Sequence, residues 1–148
     1  MVAVFNRSWK KNRDLRQKQI QLGLDQHKLI SDVATRWEST FQMIDRILEQ
    51  QKAVSAVLAN DRKNWHHMPT DQEVSVLETV ASVLRPLSVF TDALSGEKHL
   101  TISVVRPLLR HILDKVLAVS AEDCSLSKEM KEIISDKLQT YYIQYSSI

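Results

Sequence analysis

Apolar residues recur every three or four positions along most of this chain, a spacing that places them on one face of an α-helix. The stripes predict helices over residues 35–58, over residues 105–116 and from Ser127 towards the C-terminus. Because each stripe needs a surface to pack against, the pattern predicts an all-α fold, a helical bundle of about five helices. The apolar positions are Trp37, Phe41, Ile44, Leu48, Val54, Leu58, Val105, Leu108, Leu109, Ile112, Leu113, Val116, Met130, Ile133, Ile134, Leu138, Tyr141 and Tyr142.

The N-terminal region has a weaker pattern. Residues 3–22 have the composition of a helix, although their apolar positions do not form a clean stripe. Gly23 is a natural helix stop, because glycine readily adopts the left-handed conformation that ends many helices. Residues 29–33 are predicted to be an extended link or a possible short strand.

Three helix starts are predicted from capping residues. Thr35 with Glu38, and Thr70 with Glu73, have the spacing of a capping box, in which each side chain bonds the other residue's backbone N–H. Ser103 is predicted to cap the helix that contains residues 105–116.

The middle of the chain changes from polar to strongly apolar. Residues 60–69 are mostly polar and predict an exposed connection. Residues 74–94 have apolar positions around most of the helix circumference and predict a central, heavily buried helix that ends at Ser95-Gly96. Pro86 lies inside this run and predicts a kink between Ser82 and Pro86.

The composition is that of a folded intracellular protein. Hydrophobic residues make up 43% of the 148 positions and charged residues 26%. Two glycines and three prolines are too few for a protein built from short strands and tight turns. Cys124 is the single cysteine, so no internal disulfide forms and no oxidising compartment is required. Cations follow the apolar residues 1–5 at once, so we expect no secretory segment and no membrane partner.

The sequence offers no convincing catalytic or metal site. The carboxylates are scattered over predicted helix surfaces, whereas a two-metal site needs several at one point. For Asp32, a capping or solvated role is favoured over metal binding. His66 and His67 are neighbours expected to point apart, and Cys124 has no nearby histidine. We therefore expect no catalytic residue, no metal and no cofactor in this chain, and no enzymatic activity from it.

Positive charge is concentrated near the N-terminus, although the net charge is only +2. Several cations on one short helix can neutralise phosphates and release counterions, so this segment is a candidate DNA contact, with a solvated helix face as the alternative. Trp9 lies among the cations; we expect it to be buried, with stacking on a base as the alternative. The cations of residues 5–18 are Arg7, Lys10, Lys11, Arg13, Arg16 and Lys18, against the lone acid Asp14.

Arg36 and Trp37 form a second candidate contact at the start of a predicted helix. A guanidinium and an indole near the positive end of a helix suit a phosphate and a base. Trp37 also begins an apolar stripe, so burial is again expected. The predicted DNA-binding residues are Arg7, Lys10, Lys11, Arg13, Arg36 and Trp37.

Residues 32–43, which read DVATRWESTFQM, resemble the DV-x-TRW-x-S-x-x-x-M signature of hAT-superfamily transposases. Flanking segments resemble zinc finger BED domain-containing proteins descended from those transposases, so the resemblance covers nearly the whole chain. These segments are Ser8-Trp9-Lys10, Leu48-Glu49-Gln50, Leu84-Arg85-Pro86-Leu87, Phe90-Thr91-Asp92-Ala93-Leu94-Ser95 and Thr101-Ile102-Ser103.

The resemblance implies a place for this chain within a larger protein. In the family, a BED zinc finger binds DNA, an RNase H-like domain with an acidic triad is interrupted by a helical insertion, and a C-terminal segment dimerises. Residues 1–33 would then be the end of the RNase H-like region, and residues 34–148 the helical insertion domain. In active relatives the Arg-Trp pair lies close to DNA, and Arg36 and Trp37 match that pair by motif position.

These observations predict a non-catalytic helical module of a nuclear, transposase-derived protein that contributes to DNA binding and to transcription or chromatin regulation. Its expected partners are DNA, bound weakly and without sequence preference, and the rest of a longer parent protein that forms homodimers through a segment outside this chain. Two alternatives stay open. One is a protein-interaction scaffold without nucleic-acid contact, and the other is part of an active transposase.

Overall fold

The chain's computed structural model describes residues 1–96 and 102–146, and the regular elements in these ranges are all helices. The all-α prediction is confirmed, with more helices than the five expected. The possible short strand is wrong: residues 29–33 form an irregular link, in which Leu29 is buried. The helices are α1 (Val2–Asn6), α2 (Trp9–Leu22), α3 (Trp37–Glu49), α4 (Gln51–Ala59), a 3₁₀ turn (Trp65–His67), α5 (Asp71–Gly96), α6 (Ile102–His111) with a following π-helical turn (Ile112–Val116), and α7 (Ser125–Ser146).

Two of the predicted helices are each divided in two. The helix predicted over residues 3–22 is interrupted at Ser8, whose backbone is extended. The Ser8 hydroxyl caps the start of α2 by accepting from the Lys11 N–H at 3.3 Å. The helix predicted over residues 35–58 is interrupted at Gln50. Gly23 ends α2 as predicted, with φ of 66° and an N–H bond to the carbonyl of Ile20 at 3.2 Å.

The capping predictions have mixed outcomes. The capping box of α5 is confirmed: the Glu73 N–H donates to Thr70 Oγ1 at 3.3 Å, and the Thr70 N–H donates to Glu73 Oε2 at 2.8 Å. The prediction for Thr35 is wrong, because Arg36 is the N-cap residue of α3 and no side chain bonds there as a cap. The prediction for Ser103 is also wrong, since α6 already begins at Ile102.

Thr70→Ala is expected to destabilise the protein by about 1 kcal/mol, because it leaves the Glu73 N–H without its acceptor. The free energy of unfolding, measured by urea denaturation, tests this. Thr140→Ala is the matched control, since Thr140 is an exposed helical threonine whose hydroxyl donates to the Asp136 carbonyl of its own helix. Equal losses from both variants would contradict a capping role for Thr70.

The described chain divides into two compact units, Met1–Ala81 and Ser82–Ile148. The core of the first unit is formed by residues of α1, α2 and α4 together with the link, and Met1, Val2 and Leu24 pack against it. The core contains residues from both sides of position 33, and the domain division expected there stays a prediction. Its buried members are Phe5, Leu15, Leu29, Ala53, Val54, Val57 and Leu58.

The second unit has its own buried positions, among them Val83, Ile112 and Leu117. Asp123 fixes the turn before α7: one of its oxygens accepts from the Ser120 N–H at 2.7 Å and from Lys131 Nζ at 2.7 Å. These bonds lower the pKa of Asp123 to about 2, the Lys131 ammonium having the largest effect. The carboxylate thereby joins the turn to α7.

Helix α5 is less buried than the sequence predicted. Val74 and Val83 are buried, but Val76 and Val89 are exposed, so the prediction of a heavily buried central helix is wrong. The helix continues through Pro86, and the predicted kink stays a prediction. By length and composition alone the stretch 65–96 could cross a membrane, a test that the core helix of a soluble protein also passes.

Candidate nucleic-acid interface

The N-terminal basic segment runs from Arg7, at the end of the short helix α1, to Lys18 in α2. Asn12 Nδ2 donates to the Phe5 carbonyl at 2.9 Å, which holds the two helices together across the break at Ser8. Arg7 ends α1, and its side chain is exposed, as are those of Lys10 and Arg13. Three of the predicted DNA-binding side chains are therefore accessible to a ligand.

Trp9 is 76% exposed, so the expectation that it is buried is wrong. The guanidinium carbon of Arg13 lies 5.2 Å from the centroid of the Trp9 ring, within the range of a cation–π contact. Arg13 also pairs with Asp14 at 3.2 Å. The indole therefore lies on the surface beside cations, where a base or a sugar could contact it.

Lys11 is committed to an internal contact. Its Nζ pairs with Asp61 Oδ2, which joins α2 to the loop after α4. Asp61 also accepts from Asn64 Nδ2 at 2.8 Å and from the Lys63 N–H at 3.1 Å. The Lys11 ammonium lowers the pKa of Asp61 from the usual 3.8 to about 2, and Asn64 adds to this effect. Lys11 thus holds the loop in place, and its charge is paired with Asp61 and not free to bind a phosphate.

The Lys11–Asp61 pair is expected to make stability depend on pH in acid. A carboxyl whose pKa is lowered on folding stabilises the folded state above its unfolded pKa, and this contribution is lost as the pH falls from about 4 to about 2. In Lys11→Met, the free energy of unfolding should fall less steeply over this range. Lys10→Met is the control, and identical pH profiles for the two variants would contradict the assignment.

A cleft of about 610 Å³ lies between α2 and this loop. We call it the α2–loop cleft. The cleft gains further positive charge from Arg62 and Lys63. Both belong to residues 60–69, which were predicted to be an exposed connection. The only local signal was the charge run Asp61-Arg62-Lys63, which loops commonly carry. The lining residues are Ser8, Lys10, Lys11, Asp14, Val57, Asn60, Asp61, Arg62, Lys63 and Asn64.

Arg36 and Trp37 lie at the start of α3, beside a smaller cleft of about 440 Å³ whose other lining residues include Ser31, Glu38 and Gln42. Trp37 is 44% exposed, so the expected burial of this residue is wrong. Arg36 is exposed and pairs with no carboxylate in the described ranges 1–96 and 102–146. Glu38 makes this cleft less positive than its arginine alone suggests.

Ser39 fixes the loop that carries Arg36. Its Oγ accepts from the Val33 N–H at 2.8 Å and lies 2.7 Å from the Arg36 carbonyl. Asp32 Oδ1 accepts from the hydroxyls of Thr40 at 2.8 Å and Ser39 at 2.9 Å, and these bonds lower the pKa of Asp32, with Thr40 having the larger effect. Asp32 therefore closes the loop onto α3 by accepting from two side-chain hydroxyls, and it does not cap the helix.

One hydrogen bond connects the two candidate surfaces. Asn6 Nδ2 donates to Ser31 Oγ at 2.8 Å, and Ser31 lines the cleft beside Arg36. Arg7 directly follows Asn6, so the end of α1 adjoins the link that leads to Arg36. The structure thus brings the Arg7 segment of the basic region close to the segment of the Arg-Trp pair.

The paired histidines differ from expectation. The rings of His66 and His67 pack with their centroids 4.1 Å apart, so the expectation that they point apart is wrong. Partial burial lowers the pKa of His67, with smaller effects from the N-terminal ammonium and from His66. Among the residues that the structure describes, no three His, Cys, Asp or Glu side chains come together as metal ligands.

The described chain is built from helices and exposes an Arg-Trp pair at the start of α3. Residues 1–83, just over half of the chain, match the family model described as the ZBED1 RNase-like helical domain, and the chain belongs to this family. The chain is also 26% identical over 137 residues to human zinc finger BED domain-containing protein 4. That alignment covers 90% of the chain but 11% of the relative, and no solved structure matches. The family resemblance is therefore confirmed.

Proposed function

We propose that this chain is a non-catalytic helical module that binds the phosphate backbone of DNA as part of a longer nuclear protein. The observation that carries the proposal is the exposure of Arg7, Lys10 and Arg13 on one short basic segment with an exposed Trp9. Cations that contact phosphates release condensed counterions, which supplies most of the free energy of non-specific DNA binding. The basic segment binds DNA through such phosphate contacts.

Arg36 and Trp37 extend the same contact. Arg36 is exposed, and its backbone carbonyl is bonded by Ser39, which also bonds Asp32, so the backbone that carries the guanidinium is fixed before DNA binds. Contacts of this kind position a protein on a duplex without reading its sequence. The zinc finger named in the relative supports the further proposal that sequence preference, and a role in transcription or chromatin regulation, come from segments outside this chain.

Removal of the exposed arginines is expected to weaken DNA binding and reduce its salt dependence. The wild-type chain should bind a 20-base-pair duplex with a Kd of about 10⁻⁴ to 10⁻⁶ M at physiological salt. In Arg7→Gln/Arg13→Gln/Arg36→Gln, the slope of log K against log salt should fall by about 0.9 for each phosphate that the variant no longer neutralises. Fluorescence anisotropy at 50 and 200 mM salt measures both quantities.

The control is Arg110→Gln/Lys115→Gln/Lys137→Gln, which removes the same charge from exposed positions of the Ser82–Ile148 unit. This variant should bind DNA like the wild type. Undetectable binding by the wild-type chain at 50 mM salt would overturn the proposal, and so would equal losses in the two variants.

A scaffold that docks a protein is the second candidate, and one observation favours it. Trp65, Met68 and Val76 are exposed large apolar side chains, and Met68 and Val76 line an open groove beside His66. Exposed apolar patches commonly mark protein interfaces. If Met68→Ser/Val76→Ser leaves DNA binding unchanged but abolishes association with the rest of the parent protein, the groove is a docking surface.

A further inference from the structure

We propose that the α2–loop cleft is a discrete phosphate-binding site, in which Lys10, Arg62 and Lys63 hold one phosphodiester and its sugar. That the phosphate belongs to DNA rests on the proposed function, whereas the anion chemistry of the cleft does not. The cleft shares no lining residue with the cleft beside Arg36, and two of the three proposed phosphate ligands, Arg62 and Lys63, lie in a loop that the signature does not include. Its volume of about 610 Å³ lies in the range of small-ligand sites.

The cations reach the cleft from two distant parts of the sequence. Lys10 is in the first turn of α2, while Arg62 and Lys63 follow α4. The packing of α2 against α4 brings the two segments together, and the Lys11–Asp61 contact, between residues 50 positions apart, joins them. Their convergence is a property of the fold, since nothing in the local sequence of either segment requires it.

The carboxylates of the cleft are already neutralised. Asp61 is paired with Lys11, and Asp14 with Arg13 at 3.2 Å. Lys10, Arg62 and Lys63 make no ion pair within the described part of the chain. Like charges gathered in one concave site repel each other, and a bound anion relieves this repulsion. A phosphate oxygen is the natural acceptor for such donors.

The loop is fixed in place before a ligand binds. The Asp61 N–H donates to the Leu58 carbonyl at 3.0 Å, and the Asn64 N–H donates to the Asp61 carbonyl at 3.0 Å. The Asp61 side chain bonds the Lys63 N–H, Asn64 and Lys11, so it closes the turn from inside and anchors it to α2. Asp61 is therefore a positioning residue. Although it is negatively charged, it helps the site to bind an anion because it holds Arg62 and Lys63 beside Lys10.

This role predicts that Asp61→Ala lowers the affinity for DNA, although the substitution removes a negative charge. The substitution makes the protein more positive and frees Lys11, so a diffuse electrostatic attraction would bind DNA more tightly. If the cleft needs its loop in place, Asp61→Ala binds DNA several-fold more weakly instead. Circular dichroism checks that its helices are retained. Tighter binding by Asp61→Ala would overturn the proposal.

The direct test is Arg62→Gln/Lys63→Gln, which leaves Lys10 of the proposed DNA contact in place, compared with the charge-matched control Arg110→Gln/Lys115→Gln. The cleft variant should bind the 20-base-pair duplex about tenfold more weakly or worse, with a salt slope lowered by about 0.9 for each phosphate no longer neutralised. The control should keep the affinity and the slope of the wild type. Equal effects in the two variants, or unchanged affinity in the cleft variant, would overturn the proposal.

A second probe separates the cleft from the proposed function. Inorganic pyrophosphate is titrated into the wild-type chain, and the backbone amide shifts of Lys11, Lys63 and Asn64 are followed by NMR. Shifts there without any DNA binding would retain the cleft as a site for free phosphates and reject the proposed function. DNA binding that is unchanged in the cleft variant, with no pyrophosphate shifts, would reject the cleft and retain the proposed function.

Discussion

Phe5→Ala is expected to lower the free energy of unfolding of the Met1–Ala81 unit by about 3–5 kcal/mol. Phe5 is fully buried and is one of the largest side chains in that core, where it packs in a cluster with residues of α2 and α4. Its truncation removes buried apolar surface and leaves a cavity, because α2 and α4 are held by their other contacts and cannot move far enough to fill it. Because whole domains are stable by only about 5–15 kcal/mol, this change removes much of the total.

The matched control for this prediction is Trp9→Ala, an aromatic residue four positions away. Trp9 is 76% exposed, and its substitution removes the cation–π interaction with Arg13, so we expect a change of about 1 kcal/mol or less. Urea denaturation followed by circular dichroism gives both values, and amide hydrogen exchange in α4 assigns the destabilisation to this unit. Similar effects from the two variants would show that Phe5 is not the anchor of this core.

Local features of the fold were predictable from the sequence, because they depend on residues within one helical turn. The Thr70 and Glu73 capping box and the stop at Gly23 are of this kind. The break at Gln50 was not predictable, because the apolar stripe continues across it in phase. Nor was the start of α3, where the Ser39 hydroxyl bonds the loop and the expected Thr35 does not.

The candidate site was predictable in part. The basic segment and the Arg-Trp pair could be found from charge and from the signature, and the structure leaves Arg7, Lys10, Arg13 and Arg36 exposed. The other features of the site depend on tertiary contacts that the sequence does not show. The pairing of Lys11 with Asp61 and the arrival of Arg62 and Lys63 depend on how α2 meets α4. Trp9 and Trp37 were wrongly expected to be buried, because the sequence pattern does not show whether an aromatic side chain is covered by another element.

Gln19→Ala is expected to destabilise the protein by about 2–4 kcal/mol, since it breaks a buried amide pair. Gln19 and Gln50 are both fully buried, and Gln19 Nε2 donates to Gln50 Oε1 at 2.9 Å and to the His27 carbonyl at 2.8 Å. Gln50 Nε2 in turn donates to the Asp25 carbonyl at 3.1 Å. The pair thus joins α2, the residue between α3 and α4, and the link after α2. Gln17→Ala, an exposed glutamine of the same helix, is the control and should change stability by about 0.5 kcal/mol or less.

The double variant separates the pair from its parts. Gln19→Ala leaves Gln50 Oε1 buried without a donor, and Gln50→Ala leaves one Gln19 N–H without its acceptor, so each single change carries the cost of an orphaned partner. In Gln19→Ala/Gln50→Ala these orphaned groups are gone, and the decrease in stability should be smaller than the two single decreases together by about 0.5–3 kcal/mol. Gln19 Oε1 has no hydrogen-bond partner in the described part of the chain, so the Nε2 group makes every bond that the Gln19 side chain contributes. Additive decreases in urea denaturation would show that the two amides act independently.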